Sequence, residues 1–288
     1  MFGFRSDGKR IKTIDPFMKL TPHIMPERND AQVMSLYEIN CKGMDDYIFE
    51  KRHKDQLRLT YMDIVVASVV RVLALRPRLN RFIMNGRIFK RNNIQVSIAV
   101  KKALRDSAEE TTIKPTFTGK ESIFEVKAIL EKEVIANANQ KAYNDTDKTA
   151  KILTRVPNFL IKFMVGFLKW CDKHGMLPKS IINVSPFHTS VFLTNMKSIK
   201  MDYVYHHIYN FGTTSLFVSM GKEQYQPVVT DIETGTVGLA KIMRAGIVID
   251  ERICDGLYNS NSLKEFKKLM EDPRPLEQSL EAIVEDIE

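Results

Sequence analysis

The chain has 288 residues, 44% hydrophobic and 27% charged, the make-up of a globular protein with a sizeable core in one large domain or two small ones. Its net charge of +8 permits an anionic partner, but the basic residues are scattered, with no polybasic block and no aromatic–basic repeat, so nucleic acid is not an expected partner. Three distant cysteines, Cys41, Cys171 and Cys254, give neither a metal-binding spacing nor a disulfide framework, which points to a reducing, cytoplasmic setting.

In chain order, the first residues are basic and lack the continuous apolar stretch of a secretory signal. Residues 31–41 alternate as a strand does. A polar helix is expected over 45–56. Thr60 then reads as the N-cap of a helix with Asp63 at its third position, apolar almost all round from Ile64 to Leu75 and stopped by Pro77. Asn85-Gly86 marks the tight turn of a hairpin between 81–84 and 87–90. Strands are expected over 94–100 and 111–118, and a helix from Ser122 to about Ala136. Residues 137–157 carry no clear pattern. Residues 159–170 form an apolar helix too short to span a bilayer and bearing Lys162 and Lys169. With Lys173 it has the composition of a surface-lying membrane helix, although packing against its own domain or a neighbouring subunit is the commoner fate and membrane association is not expected. Strands follow over 190–195, 214–220, 226–232 and 237–249, and the stretch beyond residue 275 is acidic and expected to be peripheral. This order of elements predicts an α+β protein built around one large sheet.

The chemistry is concentrated near the end. Residues 246–258 read GIVIDERICDGLY, an apolar strand running into Asp250-Glu251-Arg252, with Asp255-Gly256 opening an amphipathic helix. This resembles the C-terminal signature of the chloramphenicol acetyltransferase and dihydrolipoamide acyltransferase superfamily, His-x-x-x-Asp-Gly, and in its lipoamide branch Asp-His-Arg-x-x-Asp-Gly. Asp250, Arg252, Asp255 and Gly256 match, and Glu251 stands at the catalytic histidine. The likeness extends to Pro77, Leu79-Asn80 and Asn93-Ile94, to the segment LPKSIINVSPFHTSVFLTN, and to Gly221. Within that segment residues 192–195, FLTN, are similar to the family's Thr-Ile-Ser-Asn, which places Asn195 in the motif and makes Thr194 the match to its hydroxyl.

The resemblance implies a two-layer α/β sandwich around a large mixed sheet, usually assembled as a trimer with active sites between subunits. Coenzyme A, or acyl-CoA, and the acceptor would enter one channel from opposite ends. It implies acyl transfer from an acyl-thioester to a thiol, hydroxyl or amine, with a lipoyl-type or small-molecule acceptor and no permanently bound cofactor or metal. Glu251 would be the base and Thr194 would steady the oxyanion, with Ser190 and Thr189 as alternatives. The expected organisation is a basic arm (1–14), the acyltransferase-like domain (15–275, with an insertion at about 137–178) and an acidic tail (276–288). No lipoyl domain precedes residue 15, so a free-standing architecture is expected. Ile24 occupies the place of an arginine that the family pairs with the Asp of Asp-Gly, so Asp255 is left to pair with Arg28 or to cap the helix at Gly256.

Glu is a poor substitute for His. Taking a proton from a thiol (pKa ≈ 8.5) onto Glu (≈ 4.3) is uphill by about 4 units, roughly 6 kcal/mol, against about 2 units, roughly 3 kcal/mol, for His (≈ 6.5). Burial would narrow the gap by raising the carboxyl. His188, six residues before Thr194, is the candidate replacement base. The adjacent His206 and His207 would face opposite sides of an extended segment. Two readings stay open: an acyltransferase, and a catalytically inactive relative that binds an acyl-thioester or a protein partner.

Overall fold

The computed structural model describes residues 5–101, 110–139 and 157–288. Local signals set the first elements. Asp15 caps α1 (Pro16–Ile24) by accepting from Phe17 N at 2.8 Å, with Pro16 at the first helical position. β2 (Gln32–Asn40) and α2 (Lys42–Lys54) follow. α3 (Tyr61–Leu75) starts on a reciprocal cap in which Asp63 N donates to Thr60 Oγ1 and Thr60 N to Asp63 Oδ2 at 2.7 Å. It ends just before Arg76-Pro77. Its apolar circumference is explained by burial: the helix lies at the centre of the core, with α2, α4 (Ile123–Asn139) and α7 (Gly256–Glu271) in the same layer.

The hairpin of β3 (Arg81–Met84) and β4 (Arg87–Arg91) turns on Asn85 and Gly86, both at positive φ (51° and 67°), the pair of conformations that matches strand twist. β1 (Gly8–Arg10) pairs with β4, so part of the expected N-terminal arm belongs to a three-stranded sheet in the order β1-β4-β3.

The large sheet comprises β5 (Ile94–Lys101), β6 (Glu110–Ile113), β8 (Val191–Asn195), β9 (Leu216–Asp231) and β10 (Thr236–Asp250) with β2, in the order β2-β10-β9-β8-β5-β6. β8 runs parallel to both β5 and β9, and the other neighbours are antiparallel. The sheet is therefore mixed and the fold α+β, as expected. The strand expected over 111–118 is two pieces, β6 and β7 (Thr116–Phe117), because Pro115 has no N–H to give the ladder. The two strands expected over 214–232 are the single strand β9. It passes through Gly221, where a Cβ would lie 2.7 Å from Tyr203 N and 2.9 Å from Arg244 O. Beyond the core, β9 and β10 continue as a hairpin arm with Tyr225, Val229, Ile232, Val237 and Leu239 exposed.

One sheet face meets the helices and the other is crossed by residues 201–212. Ser219 Oγ binds Val204 there, and Ile208 joins Phe217 and Val248 in a second apolar cluster. The acidic tail lies on the surface but is tied down. Arg81, 1% exposed, is clamped by both oxygens of Asp286 at 2.6 Å, while Val284 N donates to Ala74 O and Arg71 donates to Pro275 O and Gln278 O. A buried guanidinium needs that carboxylate, and this draws the tail inward. The insertion expected at 137–178 lies partly outside the described residues. Its described part gives α5 (Asn158–Lys173) and α6 (Lys179–Val184).

Candidate active site

β10 carries Ile247 and Ile249 into the core and ends on Asp250, whose N–H donates to Ser215 O at 3.0 Å. The Asp250 carboxylate is fully buried and bidentate with Arg252: Nε to Oδ1 and Nη2 to Oδ2, both 2.7 Å. Arg28 Nε lies 3.5 Å from the same carboxylate. Two guanidiniums on one carboxylate leave an excess positive charge, and carbonyl dipoles absorb it. Arg252 donates to Met25 O and Pro26 O, and Arg28 to Tyr209 O, Gly212 O and Ile83 O. Burial, opposed by Asp250 and reinforced by the like charge of Arg252, pushes the Arg28 guanidinium below its usual value.

This latch fixes the turn after β10. Glu251 N donates to Ala31 O at 2.9 Å, Ile253 N returns to Asp250 O, and Arg81 Nη1 reaches Ile253 O at 3.3 Å. Asp255 caps α7 by accepting from Tyr258 N at 2.9 Å, and its other oxygen lies 3.4 Å from Arg78 Nη1. Of the two roles left open for Asp255, helix capping is the one realised. Arg28 serves Asp250 instead, a partnership the motif alone did not reveal. Gly256 is the first residue of α7, and a Cβ there would meet nothing within 4 Å.

Within this frame Glu251 points away from the core. It is exposed, and its carboxylate has no hydrogen bond or ion pair among the described residues. The burial that would make it a stronger base is not supplied by its own chain. On the edge strand β2, Val33 and Met34, level with Ile249 and Val248, are exposed, as is Leu257 at the start of α7.

Thr194 stands near the end of β8, level with Ser219 on β9, which is level with Gly246 on β10. Glu251 is five residues further along β10's direction, about 17 Å away along the strands and two strands across. The two family-matched residues therefore do not meet in one chain. Thr189 and Ser190, the alternative hydroxyls, are buried and tied to Gln95: Thr189 Oγ1 donates to its carbonyl at 2.8 Å and Ser190 Oγ accepts from its N–H at 3.0 Å. Thr194 is only partly buried, with Met196 Sδ 3.8 Å from its hydroxyl, while Asn195 caps the turn that follows β8 by accepting from Ser198 N. Beside Asn195 a crevice of about 530 Å³ opens between α3 and α4, lined by Met62, Ile98, Val100, Leu130 and Val134.

His188 lies elsewhere. Its ring is fully buried, with Nδ1 2.8 Å from Ser185 Oγ and Nε2 donating to Asp172 Oδ2 at 3.1 Å. Asp172 also receives Arg5 at 2.8 Å, and Arg5 pairs with Asp7. Burial works to raise the Asp172 carboxyl, but His188 and Arg5 outweigh it and hold it below the usual range. A histidine with both nitrogens engaged and no exposed atom anchors the core and is not placed to serve as a replacement base. His206 and His207 do not face opposite sides. Their segment is not a strand, and the rings stack at 4.9 Å with His206 lying on Phe217.

No protein-family model and no curated protein matches the chain. Solved structures do. A protein assigned as a dihydrolipoamide acetyltransferase in Listeria monocytogenes superposes with a TM-score of 0.56 at 14% identity, over 95% of this chain and 97% of its own. The cubic core of the pyruvate dehydrogenase multienzyme complex gives 0.56 at 11% identity, over 93% and 94%. A chloramphenicol acetyltransferase gives 0.55 at 11% identity, over 91% and 99%. At such identities the likeness is one of fold, and the fold is the chloramphenicol acetyltransferase-like one that the tail motif implied.

Proposed function

We propose that this protein transfers an acyl group from an acyl-thioester, with coenzyme A as the carrier, to a thiol, hydroxyl or amine acceptor, at a site formed between copies of the chain. The observation that carries this reading is the separation of Thr194 from Glu251 along the sheet, with Glu251 exposed at the end of β10. One copy's Glu251 would face another copy's Thr194, and the interface would exclude water. Glu251 would take the acceptor's proton as the acceptor attacks the thioester carbonyl. The Thr194 hydroxyl would donate to the oxyanion of the tetrahedral intermediate. Collapse would expel the coenzyme A thiolate, which recovers the proton from Glu251. The +8 chain suits a phosphorylated carrier.

A second reading is favoured by Glu251 itself: an exposed carboxylate with no partner among the described residues, where the family has histidine, suits an inactive relative that binds an acyl-thioester or a protein partner. Calorimetry with coenzyme A and acetyl-CoA tests the ligand common to the catalytic reading and the acyl-thioester form of the second. Either ligand at 100 times its dissociation constant is expected to stabilise the fold by about 2.7 kcal/mol. No heat and no thermal shift at millimolar ligand would leave only the protein-partner reading.

A further inference from the structure

α5 is an apolar surface helix that its own chain leaves largely uncovered. Phe159, Phe163, Phe167 and Trp170 recur at helical spacing on one face and are 75%, 70%, 55% and 51% exposed. Leu160 and Met164 widen the stripe. Lys162, Lys169 and Lys173 run along one flank of it, also exposed. The helix is held to the body mainly through its last turns. Cys171 and Leu168 pack with Leu177 and Ile182, and Asp172 binds Arg5 and His188. Of the two fates expected for this helix, packing against its own domain or against a neighbouring subunit, the first is not met: the aromatic stripe faces outward. At 16 residues it is about 24 Å long, short of the roughly 30 Å of a bilayer core, and no described helix is long and apolar enough to cross a membrane.

We propose that α5 is a membrane-surface helix, docking the protein on a bilayer that contains anionic lipid. The aromatic rings would enter the boundary between headgroups and acyl chains, and the lysine row would lie among the phosphates. Charge complementarity selects this occupant. Lysines along a hydrophobic stripe sit at the right depth to meet lipid phosphates with their stems against apolar surface, whereas protein interfaces are depleted in lysine. The chain's net charge of +8 adds long-range attraction to the same surface. Next to the lysines, a cleft of about 450 Å³ opens, lined in part by Lys169 and Lys173.

The test is co-sedimentation of the full chain with vesicles of phosphatidylcholine alone and of phosphatidylcholine with phosphatidylglycerol. Binding to the mixed vesicles only, weakened by salt, is the expected result. Replacing Lys162, Lys169 and Lys173 by Ala together is expected to weaken it about a hundredfold, at about fivefold for each lysine. Phe163→Ser with Phe167→Ser is expected to abolish binding with the melting temperature unchanged, because both side chains already face solvent. No sedimentation with mixed vesicles would overturn the proposal, as would binding that the double serine variant retains. A fall in oligomer mass in that variant without vesicle binding in wild type would assign the face to a second copy.

Discussion

Glu251→Gln is expected to lower acyl transfer by about 10²- to 10⁴-fold, the usual weight of a general base. The substitution keeps the shape and removes the proton acceptor. It cannot harm the fold through lost contacts, since the carboxylate touches no described partner and the backbone N–H keeps its bond to Ala31 O. Glu251→His is the companion. The latch of Asp250, Arg252 and Arg28 holds the turn whatever side chain stands at 251, so an imidazole would be presented from the same backbone. The proton gap would shrink by about 2 units, and the rate is expected to hold or rise. Free-thiol release over a panel of acyl-coenzyme A donors with thiol and amine acceptors measures all three proteins. Equal silence of wild type and both variants would end the catalytic reading. Wild-type turnover that Glu251→Gln retains would make Glu251 structural.

The second large effect is on stability. Asp250→Ala is expected to destabilise the fold by about 3–5 kcal/mol, because it leaves Arg28 and Arg252 buried side by side without their anion. For a chain of this size that lowers the melting temperature by on the order of 10 °C. Adding Arg252→Met removes one of the stranded charges and is expected to recover part of the loss. Calorimetric melting decides it. A drop under about 1 kcal/mol for Asp250→Ala would mean that the carbonyls of Met25, Pro26, Tyr209, Gly212 and Ile83 suffice to hold both guanidiniums, and that the carboxylate is not what fixes the turn.

What the sequence disclosed was local. The Thr60–Asp63 cap, the stop at Pro77 and the Asn85-Gly86 turn each depend on residues within a few positions of one another, and each stands in the structure as read. The tail motif likewise placed Asp250, Glu251 and Arg252 at a strand end and Asp255 at a helix start. What escaped was long-range. Asp286 and Arg81 are 205 residues apart, so nothing near the acidic tail announced that it would be tied to a buried arginine. Arg28, one of two alternatives for Asp255 beside helix capping, serves Asp250, a choice set by how the segment after α1 packs against the end of β10. His188 looked available because a lone histidine does not advertise the Arg5–Asp172 pair that buries it. The outward face of α5 has the same origin, since periodicity tells that a helix has an apolar stripe and says nothing of what the stripe meets.

The claim that one site is built from two copies is tested most directly by mixing Glu251→Gln and Thr194→Ala proteins. Light scattering on wild type should first give about three times 33.2 kDa. Each variant alone is expected to be nearly inactive. After dissociation and reassembly together, a site is complete when Glu251 of a Thr194→Ala copy faces Thr194 of a Glu251→Gln copy. In a randomly mixed cyclic trimer that holds for about a quarter of sites, so about a quarter of wild-type activity should return. Mixed assemblies that form but stay as inactive as their parents would contradict a site shared in this way.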